Sequence, residues 1–212
     1  MGREFIGLFE EWADSYDDSV TGKDPQYAAV FLHYDKILDE VTKYSSGNVL
    51  EFGVGTGNLT QKLMENNHKV FGVEPSEAMR KIAAEKLPEL PLYEGDFITF
   101  PSFDDSIDTI VSTYAFHHLT DSEKGEAIAK FANLLAEKGK VVFADTMFES
   151  SVAKEDIIGE ADKKGYTDLI EDLNREYYPL NNTLQELFEK NHFHVTFKKM
   201  NEFVWLVIAE KK

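Results

Sequence analysis

The 212-residue sequence contains no cysteine. That absence removes disulfides, thiolate-held metals and clusters, and every mechanism built on a cysteine nucleophile. Positive charge is scarce as well. Only 22 Lys and Arg stand against 39 Asp and Glu, a formal charge of −17, and such a field repels nucleic-acid phosphates and anionic lipid headgroups alike. Neither nucleic acid nor a membrane is expected as a partner. Long apolar runs are missing: the longest, Phe203 to Ala209, falls far short of the ~20 residues that span a bilayer. The first residues carry acids at Glu4, Glu10 and Glu11 in place of a basic stretch and an apolar core, and Ile6 breaks a myristoylation pattern. A cytoplasmic location is expected. What is present, 42% hydrophobic residues with 13 Gly and 6 Pro, suits one globular core.

Apolar runs bounded by Gly, Pro or Asn recur at residues 48–52, 69–73, 90–93, 107–112 and 140–145, separated by segments of helical spacing. The alternation is β-α-β-α. Ile107, Ile110, Val111 and Val141, Val142, Phe143 crowd their runs, as expected of parallel strands covered on both faces. Thr120-Asp121-Ser122-Glu123 reads as a capping box before the stripe Ala127, Ile128, Phe131, Leu134, Leu135, in a helix expected to end at Gly139. Pro75 is expected to open a helix running to about Leu87. At the C-terminal end, residues 192–199 and 202–210 read as strands of an antiparallel hairpin turned by Met200-Asn201. Between strand five and this hairpin lies a polar helical stretch, residues 148–191, broken by Gly165 and Pro179.

The chemistry concentrates in Glu51-Phe52-Gly53-Val54-Gly55-Thr56-Gly57, where the first strand turns into a helix. Glycines there allow a sharp turn and let a ligand lie against the main chain. A dinucleotide fingerprint needs its third Gly at position 58, which is Asn, and no Gly-Lys-Ser/Thr of a P-loop follows. The loop therefore suits a ligand without a pyrophosphate. Two more acids stand at later strand ends. Glu74 is placed to accept from both hydroxyls of a ribose, and Asp96 with Phe97 to accept from an adenine amino group and pack on its face. Three carboxylates also suit a cationic ligand.

Residues 51–57, Glu74, Asp96 and the final hairpin together resemble the class I S-adenosylmethionine-dependent methyltransferases, a likeness running from about Asn48 to the end. Within them, Trp12 to Asp17, residues 49–57, Tyr114-Ala115-Phe116-His117-His118-Leu119-Thr120-Asp121 and Phe143 to Thr146 are similar to the small bacterial YrrT methyltransferases. The resemblance implies a three-layer α/β/α Rossmann-like fold with a seven-stranded, mostly parallel sheet whose last strand is antiparallel. It implies a single domain over residues 1–212: an N-terminal helical cap (1–47), a cofactor-binding core (48–147), a helical cap insertion (148–191) and the hairpin (192–212). It also implies that Gly53 and Gly55 pass beside the methionine part of S-adenosylmethionine, Glu51 and the Thr113 carbonyl orient its ammonium, Glu74 holds the ribose, and Asp96 with Phe97 reads adenine. The activity implied is in-line methyl transfer to a small molecule by a monomer or homodimer. A non-catalytic S-adenosylmethionine-binding module is one alternative reading, and an NAD-dependent oxidoreductase is another.

Catalytic residues are harder to read, since in-line displacement at carbon is mostly alignment and desolvation. His117 lies in the loop after the fourth strand, where a base could act, and Tyr16 falls in the segment the resemblance places over the cofactor. Against a role for His117 or His118 stands ordinary loop hydrogen bonding and packing. Trp12, Tyr16, Tyr27, Tyr114, Tyr166, Tyr177 and Tyr178 are candidates for an aromatic lid over a sulfonium. Glu10, Glu11, Asp14, Asp17 and Asp18 read as a solvated face. His192 and His194 would share a strand face but lack a third ligand, so no metal is expected.

Overall fold

A computed structural model describes Gly7, Glu10, Ala13, residues 16–20 and residues 22–212, without the side chains of Asp18 and Ser19. Glu4, Ile6, Glu11, Trp12, Asp14 and Ser15 fall outside the described residues. Seven strands, β1 (Asn48–Phe52), β2 (Lys69–Glu74), β3 (Leu92–Glu94), β4 (Ile107–Thr113), β5 (Leu135–Thr146), β6 (Phe193–Lys199) and β7 (Val204–Lys211), form one sheet in the order β3-β2-β1-β4-β5-β7-β6. β7 runs antiparallel to both neighbours, and the other pairs are parallel. The helices are α1 (Tyr16–Val20), α2 (Tyr34–Tyr44), α3 (Asn58–Glu65), α4 (Glu77–Lys86), α5 (Asp121–Leu134), α6 (Ser151–Lys164), α7 (Thr167–Arg175) and α8 (Asn181–Lys190).

The three layers follow from alternation along the strands. Leu50 and Phe52 point to one face and pack with Ile128 and Phe131 of α5 and Phe188 of α8. Val49, Val111 and Val142 point to the other and pack with Ile37 and Val41 of α2 and Leu63 of α3. Both faces being covered, the central strands expose no polar side, and their sequence is apolar on successive positions.

Several boundaries differ from the sequence reading. α5 is opened by the expected capping box, with Thr120 Oγ1 accepting from the Glu123 amide and Glu123 accepting from the Thr120 amide. It ends at Leu134 rather than Gly139, because Leu135 is already extended and pairs with Ile107. Lys138 then adopts φ 62°, and a Cβ on Gly139 would lie 3.0 Å from the Ala136 carbonyl, so Gly139 serves a tight bend before the main ladder. α4 starts at Glu77, not Pro75, because the Ser76 hydroxyl caps it by accepting from the Met79 amide at 3.2 Å. β3 is shorter and later than expected, which leaves Asp96 in the turn beyond it. The hairpin turn occupies residues 200–203, since Asn201 Oδ1 accepts from the amides of Phe203 and Val204, and β7 starts at Val204. His192, at φ 66°, precedes β6, so it shares no strand face with His194.

Candidate active site

The strand order reverses between β1 and β4, so the loops leaving their carboxyl ends diverge and open a crevice, the usual ligand position in such sheets. A crevice of about 700 Å³, open to solvent, lies there. Its walls come from the ends of four adjacent strands: Gly53 and Gly55 after β1, Glu74 and Pro75 at β2, Asp96 and Phe97 after β3, and Thr113, Tyr114, Ala115, His118 and Leu119 after β4. Tyr16 of α1 covers it and Met79 of α4 adds to the floor. Among the described residues no Lys or Arg lines it. Of the seven residues expected at the cofactor, the structure thus brings six to one cavity. Glu51 lies beneath the turn, 1% exposed, and does not line it.

Each wall has a local cause. Gly53 is at φ 69°, where a Cβ would stand 2.7 Å from that of Ala115; Gly55, at φ 57°, has nothing within 4 Å of its missing Cβ. The first glycine lets two loops approach, and the second leaves open space beside the main chain. Their amides are already used: Gly53 donates to the Val73 carbonyl, Gly55 to Glu74 Oε2 at 2.9 Å, and Gly57 to the Val54 carbonyl. A loop with its amides so committed does not cradle a pyrophosphate. Glu74 also accepts from the Ser76 amide at 2.8 Å, fixing its carboxylate while leaving lone pairs unused. Asp96 is oriented by the amides of Ile98 and Thr99 on Oδ1, at 2.9 and 2.7 Å. Phe97 stacks on Phe52 at 5.3 Å, joining the cavity wall to the core.

Electrostatics separate the acids. Burial pushes Glu51 up to about 8; a hydrogen bond from the Thr60 hydroxyl at 2.6 Å opposes this and the neighbouring Glu74 adds to it. Burial also raises Glu74, against the two amides that stabilise its charge.

His117 and His118 occupy a single 3₁₀ turn, Phe116–His118. Only His118 lines the cavity. His117 points behind it, with Nδ1 2.5 Å from Asp145 Oδ1 and Nε2 3.1 Å from Glu176 Oε2. Burial disfavours its charge, but the two carboxylates prevail and push it up to about 10. Glu176 shows the converse: burial would raise it, and His117 pulls it down to about 2. His118 is pushed down to about 3 by burial and by the charge of His117. The His117 ring stacks on Tyr178 at 4.7 Å, and the Tyr178 hydroxyl donates to Glu176 at 2.6 Å. His117, His118 and Glu176 each bring a ligand-type atom within 4.8 Å of the other two, and they form the sole such cluster among the described residues.

Sequence reasoning missed Asp145 and Glu176, which meet His117 only through the fold. Glu10 and Asp17, read as solvated, are exposed and also make bonds. Glu10 accepts from the Ser76 hydroxyl at 2.9 Å and the Glu77 amide at 2.8 Å at the start of α4, and Asp17 accepts from Thr56 and Asn58 at 2.7 and 2.9 Å. These bonds tie the N-terminal segment across the crevice. Of the lid candidates, Tyr16 and Tyr114 line the cavity, Tyr27 hydrogen-bonds Asp172 of α7, and Tyr166 and Tyr178 pack against the core.

A family model described as a methyltransferase domain matches residues 49–139, from β1 into β5. The chain is 58% identical over 211 residues to an uncharacterized methyltransferase of Oceanobacillus iheyensis, covering 100% of this chain and 99% of that one. It is 56% identical to one from a Geobacillus species over 213 residues, covering all of both. Among solved structures, a Synechocystis magnesium protoporphyrin IX methyltransferase with bound S-adenosylmethionine shares the fold at TM-score 0.68 and 13% identity, over 98% of this chain and 97% of that one. A Thermotoga maritima S-adenosylmethionine-dependent methyltransferase does so at 0.70 and 19%, over 98% and 100%. With relatives this close over its whole length, the chain belongs to the S-adenosylmethionine-dependent methyltransferases.

Proposed function

We propose that S-adenosylmethionine binds in the crevice between β1 and β4 and that the enzyme methylates a small molecule held between that crevice and the cap formed by α1 and residues 148–191. The observation that carries this reading is the cavity itself: six expected residues from four strand ends line it, with carboxylates and, among the described residues, no cationic side chain. The donor set fits the group. Glu74 keeps lone pairs for a ribose, Asp96 and Phe97 suit adenine, the open side of Gly55 admits the methionine part, and Glu51 with the Thr113 carbonyl suits an ammonium. When bound, the donor supplies an activated methyl on a sulfonium. The chain's own part is to orient, to exclude water through Tyr16, and to present neutral or negative groups to a cation.

Committed glycine amides and the absence of a cation in the cavity argue against an NAD pyrophosphate. Nothing in the fold favours nucleic acid or a membrane: the net charge is −17, and among the described residues no helix is long and apolar enough to cross a bilayer. The fold does not select the acceptor, since solved neighbours carry names as unlike as magnesium protoporphyrin IX methyltransferase and geranyl diphosphate methyltransferase. Calorimetry with S-adenosylmethionine and S-adenosylhomocysteine tests the site. Glu74→Ala and Asp96→Ala should each weaken binding by about 1–3 kcal/mol, and unchanged affinity in both folded variants would refute the assignment.

A further inference from the structure

Behind the far end of the cavity, where Tyr16, Tyr114 and His118 line it, three buried charges meet. The His117 ring has a carboxylate at each nitrogen, and the side chains of His117, Asp145 and Glu176 are 8%, 6% and 7% exposed. An imidazole so placed donates from both nitrogens and is a cation. Two carboxylates against one imidazolium leave one net negative charge in the wall. Of the ammonium groups among the described residues, Lys124 acts on Asp145 and tempers this charge. Lys124 donates to the Leu119 and Tyr177 carbonyls and pairs with Asp121, while Lys154 lies over the Phe148 and Tyr178 rings and does not line the cavity.

We propose that the methyl acceptor is an uncharged nitrogen base, a small amine or a ring nitrogen, and that the Asp145–His117–Glu176 cluster is the positioning element that selects it. This rests on the reading of the crevice as the S-adenosylmethionine site. The argument is one of charge and lone pairs. A thiolate or carboxylate acceptor would enter beside a net negative wall with no Lys or Arg among the described lining residues to receive it. A hydroxyl acceptor must lose its proton, and apart from Glu74 and Asp96, which the cofactor engages, the described residues offer no base for it: His117 has no free lone pair, burial makes His118 a weak base, and the phenols of Tyr16 and Tyr114 are pushed well up by burial. An amine that carries a proton in water loses it to solvent before reacting, and the neutral nitrogen then needs neither a counter-cation nor a base in the wall. Its lone pair forms the new C–N bond, the C–S bond breaks with its electron pair left on sulfur, and the positive charge passes from sulfur to nitrogen. The methylated ammonium then loses a proton to water. Charge thus arrives in front of the carboxylates and beside the aromatic side chains of Tyr16 and Tyr114, which line the cavity and suit a cation.

The test uses full-length protein and four matched probes: phenethylamine, 2-phenylethanethiol, 3-phenylpropionate and 2-phenylethanol. Calorimetry first measures each on the complex with S-adenosylhomocysteine, and methyl-labelled donor then reports transfer. The amine should bind at least tenfold tighter than the carboxylate, and its kcat/KM should exceed those of the other three at least tenfold. Glu176→Gln and Asp145→Asn should each shrink the amine-over-thiol ratio at least fivefold while the donor's Kd holds, a change that loss of packing alone would not produce. Equal or better use of the thiol, carboxylate or alcohol overturns the inference and leaves the methyltransferase reading standing. So does absence of amine binding and transfer in protein that binds the donor. Failure to bind the donor at all refutes the crevice assignment instead.

Discussion

Replacing Glu51 by Gln isolates a proton held beneath the glycine turn of the crevice. The carboxyl is buried, keeps one short bond from Thr60, and is pushed up to about 8, so at pH 7 roughly nine-tenths of molecules carry it neutral. An ammonium brought within ~4–6 Å lowers such a group by about 1–3 units. A fall of about 2 units ionises nearly all of it, releasing roughly 0.8 proton on binding. The ligand's own α-amino group, near 7.7–8.0 when free, takes back ~0.1, leaving a net release of about 0.7 proton. By linkage the affinity for S-adenosylmethionine should rise about fivefold per pH unit around pH 7. Calorimetry in phosphate and in Tris, whose protonation enthalpies differ, reads that proton directly. Glu51→Gln should abolish the release, flatten the pH dependence, and weaken binding. The unliganded protein supplies a second sign. A carboxyl raised in the folded state stabilises below its unfolded value, about 4.5, and that contribution is lost as pH climbs through about 8, a loss the Gln variant should lack. Buffer-independent heats and a flat Kd between pH 6.5 and 7.5 in the wild type would refute the placement of the ammonium beside Glu51.

His117→Asn leaves two buried carboxylates without their cation and should cost about 3–5 kcal/mol, a drop in Tm of roughly 6–20 °C for a chain of this size. The stabilisation from His117 is fully present below pH ~6.5 and lost as pH rises through about 10, and that from Glu176 is present above pH ~4.5 and lost toward about 2. The Tm gap between wild type and variant should therefore narrow from pH 7 to pH 10, and a constant gap would sink the ion-pair account. Gly55→Ala places a Cβ in open space at φ 57°, costing about 1–2 kcal/mol of backbone strain. It should still fold, yet bind S-adenosylmethionine at least tenfold more weakly in calorimetry because the methyl occupies ligand space; undiminished affinity would contradict the proposed path of the methionine part.

The cofactor half of the site was legible because its residues are tied to local punctuation. Gly53, Gly55, Glu74, Asp96 and Thr113 each sit within three residues of a strand's end, and a β-α alternation brings successive strand ends to one edge of a parallel sheet whatever the details of packing. Errors of one or two residues in the boundaries did not disturb this. Asp96 lies in a turn rather than in β3, and α4 starts two residues late, yet both still face the crevice. Side-chain caps explain those shifts: Ser76, Asp96 and Asn201 each bind nearby amides and so decide where an element begins or a turn ends, a choice that hydrophobic periodicity does not register.

The acceptor half resisted reading for the opposite reason. His117, Asp145 and Glu176 come from the loop after β4, the tip of β5 and the connection beyond α7, and the separation from His117 to Asp145 is 28 residues. No spacing rule joins them. The sequence offered two adjacent histidines and no means of telling which faces the ligand. The fold decides by handing His117 to two carboxylates and leaving His118 on the wall, so the residue that looks most like a base has no lone pair to give. Glu10 and Asp17 follow the same logic, since an acid on a polar face and an acid latching a crevice are indistinguishable until the partner helix is placed. Charge that is local in sequence therefore reports the ligand common to the whole fold, whereas charge assembled across the sheet edge and the cap carries the choice of acceptor. That choice rests on a few buried groups whose exchange would alter selectivity while leaving the donor site intact.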